Sequence, residues 1–161
     1  PVNTLRVTYN FGSDLAEEFM TGSTNHYAGG GNDTIHFGDA PGAGPRRMTG
    51  GSGRDTFMKT PLTTSSNLSY AGRGEYYIFD FEIGTTGDIV DISQAINYNS
   101  AAGDDLADFI HVVDNGFDTL LRFAHPGRPT GEGLVFTSSL RLVGVVATLS
   151  QLITDGNLIV E

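Results

Sequence analysis

Two short segments of the chain place glycine and aspartate in the same order. Residues 28–36 read AGGGNDTIH and residues 50–58 read GGSGRDTFM. Both fit the nonapeptide pattern G-G-x-G-x-D-x-U-x, where U is a large apolar residue, although Ala28 replaces the first glycine of the earlier copy. In such a unit six residues form a turn and three form a short strand, so the pattern predicts a stack of turns and strands.

The residue types in these turns are suited to binding a metal ion. Glycine tolerates the positive φ angles of a tight turn, and its lack of a side chain leaves carbonyl oxygens unshielded. Asp33 and Asp55 add a charged oxygen to each turn. A hard cation such as calcium prefers a shell of carbonyl and carboxylate oxygens. The repeats therefore predict a calcium-dependent β-roll.

A third, degenerate copy of the repeat precedes these two. Residues 12–19 carry Glu17 where the pattern has aspartate. Successive turns of a β-roll lie on opposite sides, so turns about 18 residues apart stack on one side. Glu17, Asp33 and Asp55 are 16 and 22 residues apart, which fits three stacked turns if residues 40–45 bulge from the opposite side. A roll of about two and a half turns needs a cap, because at least three repeats are normally required.

Patterning after residue 59 predicts that cap. We expect a mostly all-β chain, with an N-terminal strand and the roll in residues 1–59 and a β-rich capping subdomain in residues 60–161. The predicted strands are residues 5–9, 76–83, 88–92, 111–121 (a hairpin with a type I′ turn at Asn115–Gly116), 134–136, 140–146 and 158–160. Residues 60–74 predict a loop. Short helical segments are predicted at residues 93–98, at 104–109, and from Thr148 or Ser150 to Ile153.

The composition restricts the class of partner. Nine basic residues stand against 19 acidic ones, for a net charge of −10. Such a surface repels nucleic acid and anionic lipid, whereas divalent cations would relieve its self-repulsion. The chain has no cysteine, and it has no run of about 18 apolar residues, so neither disulfides nor a bilayer-spanning helix is expected. Pro1 opens no signal peptide, and we expect a fragment of a longer chain.

The glycine- and aspartate-rich repeats resemble those of RTX (repeats-in-toxin) calcium-binding proteins, which leave the cell through the type I secretion channel. The part after the repeats is similar to the terminal target domain of large RTX adhesins and related exoproteins. The segments that carry this resemblance are residues 77–81, 87–93, 115–116, 140–145 and 152–160. The resemblance implies a protein that has the exporter as a partner, carries its export signal in its last residues, and folds on binding calcium outside the cell or at its surface.

The same resemblance implies a set of calcium ligands. Carbonyl and carboxylate oxygens of two facing turns would hold one ion: Gly29, Gly31 and Asp33 in one turn, and Gly50, Ser52 and Asp55 in the other. Asp80 and Asp88 match the positions that complete the last site in relatives, although Tyr76 stands where the family often has an aspartate. A weaker site would pair Gly12, Asp14 and Glu17 with Ala28, Gly30 and Asp33.

No residue pattern selects a catalytic centre. The four histidines, His26, His36, His111 and His125, lie in no zinc-protease or nucleophile motif, and His36 occupies an outward position of its repeat. The glycine-rich turns lack the lysine of a phosphate-binding loop. The leading hypothesis is therefore a non-enzymatic calcium-binding module at the C-terminal end of a secreted bacterial adhesin or exoprotein.

Two alternatives stay open. One is a polysaccharide-binding module like the R-modules of alginate epimerases, and the other is the C-terminal part of a secreted RTX hydrolase or protease with its catalytic domain upstream. For the first, arginines would contact acidic sugars and tyrosines would stack on them: Arg46, Arg47, Arg128, Tyr70, Tyr76 and Tyr77. Salt bridges for these arginines and burial in strands for these tyrosines are the simpler interpretations.

Overall fold

The computed structural model describes residues 9–20, 25–38, 45–61, 74–124 and 136–161. The strands of these residues are β1 (Tyr9–Phe11), β2 (Glu18–Phe19), β3 (Asn25–Gly30), β4 (Thr34–Phe37), β5 (Arg46–Ser52), β6 (Thr56–Lys59), β7 (Gly74–Ile78), β8 (Ile89–Asp91), β9 (Ile110–Asp114), β10 (Thr119–Ala124), β11 (Phe136–Leu142) and β12 (Leu158–Ile159). One short helix, α1 (Leu149–Thr154), and 3-10 turns at Ser100–Ala102 and Leu106–Asp108 complete the described elements. The prediction of a mostly all-β chain is confirmed.

Successive strands alternate between two sheets, which is the arrangement of a β-roll. The odd-numbered strands β1, β3, β5 and β7 are parallel neighbours in a seven-stranded sheet. The even-numbered strands β2, β4, β6 and β8 are parallel neighbours in a five-stranded sheet. Each pair of strands with its connecting turn therefore forms one coil, and the coils stack on one another.

The strands after residue 73 extend the same two sheets. β11 pairs in parallel with β7, and β10 and β9 then add antiparallel strands to the edge of the larger sheet. β12 pairs in parallel with β8 at the edge of the smaller sheet. Strands on both sides of the predicted boundary at residue 59 thus share both sheets, and a division into two subdomains stays a prediction.

The core fills the space between the two sheets. The large apolar position of the nonapeptide points inward, so that successive coils place one buried side chain above another. In the smaller sheet this inward row, in register order, is Ile35, Phe57, Val90 and Leu158. Burying side chains of this size stabilises a fold by roughly 1.5–3 kcal/mol each. The repeat therefore encodes the core as well as the turns.

The hairpin between β9 and β10 differs from the predicted form. Thr119 pairs with Asp114, which leaves four residues in the connection rather than two. Asn115 does not have a positive φ, so the predicted type I′ turn is wrong. Instead the Asn115 side-chain oxygen accepts hydrogen bonds from the backbone N–H groups of Phe117 and Asp118. This Asx-type bonding stabilises a longer loop.

Other boundaries also differ from the sequence predictions. Residues 93–95 form a turn rather than a helix, and β7 ends at Ile78 instead of reaching residue 83. Residues 104–109 contain the expected helical turn, and α1 has the predicted Thr148 as its N-cap. The predictions for residues 5–8, 40–44, 62–73 and 134–135 lie outside the described residues.

The helices of the described residues are all too short, or too polar, to cross a membrane.

Candidate metal centre

Four acidic residues lie in one row along an edge of the roll. Glu17, Asp33, Asp55 and Asp88 immediately precede β2, β4, β6 and β8, respectively. The residues that follow them are paired with one another in the parallel register of these strands. The turns that carry the four acids are therefore stacked; the spacings of the repeats predicted this for Glu17, Asp33 and Asp55.

Hydrogen bonds link each acid to the next along this row. Asp33 Oδ1 accepts from the backbone N–H of Glu17 at 2.8 Å, and Asp55 Oδ1 accepts from that of Asp33 at 2.8 Å. Asp88 Oδ1 accepts from the N–H of Asp55 at 2.9 Å. Each of these aspartates thus uses one oxygen to hold the turn of the preceding coil.

The second oxygen of the two repeat aspartates has no hydrogen-bond partner. Asp33 and Asp55 are 1% and 0% exposed, and their Oδ2 atoms are buried without a donor. A Cβ atom built on Gly50 would lie only 2.1 Å from Asp55 Oδ2, so glycine is needed to leave room for that oxygen. A buried anionic oxygen without a donor is costly. Because a hard cation would compensate that cost, the residues present fit calcium.

Burial shifts the acid equilibria of the three aspartates of the row in the same direction. It raises the pKa of Asp33 and Asp55, and it raises the pKa of Asp88 to about 6. Backbone hydrogen bonds to these carboxylates oppose the shifts, and the charges of neighbouring acids add to them. The ionised row therefore lacks sufficient compensation from protein groups alone.

Glycines bring carbonyl oxygens of one turn against the next turn. Gly29, Gly31, Gly51 and Gly53 all have positive φ angles, between 100° and 128°. A Cβ atom on Gly51 would lie 1.8 Å from the carbonyl oxygen of Gly29, and one on Gly53 would lie 1.8 Å from that of Gly31. The carbonyl oxygens that the sequence assigned to calcium in the first repeat therefore face the second repeat.

Ser52 and Asp80 also lie at the stacked turns. The side-chain oxygen of Ser52 would be 3.1 Å from a Cβ atom on Gly30. Asp80 accepts the backbone N–H groups of Gly50 and Gly51 through Oδ1 and Oδ2, at 3.1 and 2.7 Å. Asp80 thus clamps the second repeat from the following coil.

Asp88 differs from the repeat aspartates because both of its oxygens have donors. Oδ1 bonds Asp55, and Oδ2 accepts the backbone N–H of Glu82 at 2.9 Å. Asp80 and Asp88 are brought to the centre as predicted, but each already holds a turn. Whether they also contact a metal stays a prediction.

The outer turn has a different arrangement. Glu17 Oε2 accepts the backbone N–H of Ser13 in its own turn at 2.6 Å. Asp14 is exposed. Across the described residues, no three histidine or acidic side chains converge on one point. The proposed ligand set is consistent with this finding because it takes two carboxylates and several carbonyl oxygens for each ion.

Asn157 is a site neighbour that sequence reasoning missed. Its side chain is 1% exposed, accepts from Gly84 N at 2.8 Å, and donates to the carbonyl oxygens of Gly84 and Asp88 at 3.0 and 2.6 Å. These partners are 73 and 69 residues away in sequence. No local pattern could therefore have identified this role.

A second feature is the outer face of the larger sheet, where aromatic rings and arginines meet. The Arg47 guanidinium lies 5.6 Å from the ring centroid of Phe79, and that of Arg141 lies 6.0 Å from the ring centroid of Tyr77. Tyr77 and Phe79 are stacked with centroids 6.4 Å apart. A shallow cleft of about 180 Å³ adjoins them, lined by Glu75, Tyr76, Tyr77, Leu120, Arg122, Ser139 and Arg141. We call Arg47, Tyr77, Phe79 and Arg141 the aromatic–arginine face.

The other residues that the sequence offered for catalysis or sugar contact are buried, have a side-chain partner or lie outside the described residues. Tyr76 and Arg46 are buried, at 2% and 6% exposed, and so are not available to a polymer on the surface. His26 is buried as well, whereas His36 Nε2 lies 2.7 Å from Glu18 Oε1 on the neighbouring strand. Tyr70, His125 and Arg128 lie outside the described residues.

Comparison with known proteins gives structural likeness only. No family model and no curated protein sequence matches the chain. Two similar solved structures are subunits of the Azotobacter vinelandii mannuronan C5-epimerase. The AlgE6R3 subunit is 23% identical over 83% of this chain and 73% of its own, with a TM-score of 0.39. The AlgE6R2 subunit is 20% identical over 94% of this chain and 92% of its own, with a TM-score of 0.29. At these scores, neither likeness adds to the assignment of the site.

Proposed function

We propose that this chain is a non-enzymatic calcium-binding module that depends on calcium to fold. The observation that carries the proposal is the pair of buried Oδ2 atoms of Asp33 and Asp55, which have no donor although each aspartate is fixed by its other oxygen. An arrangement that leaves an anionic oxygen buried and unpaired is unfavourable unless a cation completes it.

The residues that would hold the ion come from the two facing repeats. They are the carbonyl groups of Gly29 and Gly31 with the carboxylate of Asp33, and the carbonyl groups of Gly50 and Ser52 with the carboxylate of Asp55. When bound, calcium supplies positive charge between coils that otherwise repel each other. Asp80 and Asp88 would support this centre by fixing the second repeat from the following coil.

Calcium binding can make a large contribution to the stability of this fold when the free ion is well above its dissociation constant. Extracellular modules typically bind calcium with dissociation constants of about 10⁻⁴ to 10⁻³ M. At about 100 times the dissociation constant, one site stabilises the native state by roughly 2.7 kcal/mol. Two such sites would match the stability of a marginal domain, which begins at roughly 5 kcal/mol. We therefore expect the metal-free chain to be only marginally stable near neutral pH, with a substantial unfolded fraction.

The cellular setting we propose is that of a secreted bacterial adhesin or exoprotein. Support comes from the resemblance of the repeats and of residues 140–160 to RTX proteins, and from a cysteine-free sequence that must be stabilised without disulfides. The type I exporter would be the partner during export. We therefore propose that the module lies outside the cell or is attached to the cell surface.

A calorimetric calcium titration tests the proposal. Asp33→Asn and Asp55→Asn keep the oxygen that accepts the backbone N–H but remove the charge, so each should weaken calcium binding at least about tenfold. Asp114→Asn, at the exposed end of β9, is the matched control and should leave binding unchanged. Wild-type protein that binds no calcium, or a circular dichroism spectrum that chelator does not alter, would contradict the proposal.

A second candidate function is contact with an acidic polysaccharide. It is favoured by the aromatic–arginine face, since a protein of net charge −10 here exposes arginines beside stacked rings. Aromatic rings stack on sugar faces, and guanidinium groups recognise carboxylates through paired hydrogen bonds. Arg141 also bonds Asp118 at 3.0 Å, so Arg47 is the stronger candidate for a contact with a uronate.

Titration with alginate, with a neutral glucan for comparison, tests this candidate. Arg47→Gln and Phe79→Ser should each weaken alginate binding about three- to tenfold, and added salt should weaken it further. Phe117→Ser, at the exposed hairpin tip, should have no effect. If wild-type protein binds both polymers equally or neither, the candidate is wrong.

A further inference from the structure

The turn at residues 79–88 lies between the candidate metal centre and the end of the chain. It connects β7 to β8. These two strands form the last coil that carries an acid of the row, Asp88. On one side it contacts the second repeat, and on the other it contacts the C-terminal segment, which we define as residues 149–161. The two contacts are made by different side chains and can be altered separately.

On the metal side, the turn holds the second repeat through two carboxylates. Asp80 accepts hydrogen bonds from the backbone N–H groups of Gly50 and Gly51, which are the first two residues of the second repeat. Asp88 accepts the N–H of Asp55, which carries one of the unpaired oxygens. The position of Asp55 therefore depends on the shape of this turn.

On the C-terminal side, one residue holds the turn. The Asn157 side chain makes two hydrogen bonds to Gly84 and one to the carbonyl oxygen of Asp88. Its own carbonyl oxygen accepts from Val90 N at 2.8 Å and so begins the pairing of β12 with β8. Asn157 thus bonds the middle and the C-terminal end of the turn that positions Asp88.

The C-terminal segment is also anchored by packing. Leu152 in α1 and Leu158 in β12 are 1% and 4% exposed and belong to the core. At its end, Glu161 accepts hydrogen bonds from Ser100. Because β12 is a two-residue edge strand, its docking depends on these few contacts together with Asn157.

We propose that calcium binding and docking of the C-terminal segment are coupled, with Asn157 as the positioning residue that links them. This inference rests on the proposed calcium function. A docked Asn157 fixes the 79–88 turn, which fixes Asp88 and Asp55 for the ion. By thermodynamic reciprocity, the ion must favour the docked segment by the same factor as the docked segment favours the ion. The end of the chain is thus held in the fold when calcium is present and released when it is absent.

Hydrogen exchange and calcium titration together test the coupling. In the wild type, the amides of residues 149–161 should gain protection as calcium is added. Asn157→Ala should weaken calcium binding about tenfold or more and leave that segment unprotected at saturating calcium. Tyr76→Phe is the control for lost stability, because it removes the buried hydrogen bond from Tyr76 to the Gly38 carbonyl on the side of the roll away from the acidic row. The Tyr76→Phe variant should keep the amides of residues 149–161 protected from exchange.

A second variant covers the case in which Asn157→Ala does not fold. Leu158→Ala loosens the same segment through packing and should lower calcium affinity more than Tyr76→Phe does. Equal effects of the segment variants and Tyr76→Phe on both readouts would overturn the coupling while leaving the calcium function intact. A wild type that binds no calcium would instead remove the proposed function itself, so the two failures are distinguishable.

Discussion

At the scale of single residues, the two oxygens of one carboxylate have separate tasks. In Asp33 and Asp55, Oδ1 holds the backbone of the preceding coil, and Oδ2 remains buried without a donor. An asparagine could perform the first task but would bring no charge to the second. The aspartate of the repeat is therefore explained by metal binding better than by turn formation alone.

A glycine substitution tests how closely the turns must approach. Gly51→Ala forces a side chain onto a φ of +100° and places its Cβ 1.8 Å from the Gly29 carbonyl oxygen. Strain of this kind costs roughly 1–3 kcal/mol before the clash is added. Gly103→Ala is the control, since Gly103 also has a positive φ, of +86°, with open space around it. In urea titrations with calcium present, Gly51→Ala should lose clearly more stability, and equal losses would refute the close approach.

At the scale of elements, the repeat spacing was enough to predict which turns stack. Asp33 and Asp55 are 22 residues apart rather than about 18, yet Thr34 still pairs with Thr56. The register survives because the inward apolar row and the hydrogen-bonded acids select it. Local patterning thus predicted the roll, α1 and the positions of Asp33 and Asp55.

Other elements could not be predicted from strand and turn preferences alone, because specific hydrogen bonds decide them. The aromatic run at residues 76–83 favours a long strand, but Asp80 turns away to bond Gly50 and Gly51, and β7 ends at Ile78. The Asn115–Gly116 pair favours a two-residue turn, but pairing of Thr119 with Asp114 leaves a longer loop. In the first case tertiary hydrogen bonds override local preference, and in the second the Asx bonds of Asn115 stabilise the longer loop.

At the scale of the whole molecule, the acidic row should reverse the usual effect of pH. The folded-state pKa of Asp33, Asp55 and Asp88 is raised, to about 6 for Asp88, so the metal-free native state binds more protons than the unfolded chain. The stability that these three protonated carboxyl groups contribute is fully present below their unfolded pKa of about 3.8–3.9. It is lost as the pH rises through about 6. Bound calcium should reverse this dependence, because it would stabilise the ionised carboxylates.

Thermal unfolding of metal-free protein at pH 5 and pH 7.5, with and without added calcium, measures this effect. Without metal, the midpoint should be higher at pH 5, since Asp88 is then largely protonated in the folded state. With saturating calcium, the midpoint should be higher at pH 7.5. A metal-free midpoint that increases from pH 5 to pH 7.5 would show that these carboxylates are compensated by other groups.

The roll also has opposite electrical character on its two long edges. Its acids precede the even-numbered strands, whereas the buried cationic side chains Arg46 and Lys59 occupy the start of β5 and the end of β6, which face the other edge. Among the described residues these groups separate charge across the width of the interior and so add to its dipole moment, and the acidic edge attracts small cations. Cations that bind at the acidic edge would reduce this moment, so the loaded and empty forms should differ in how they orient in an electric field.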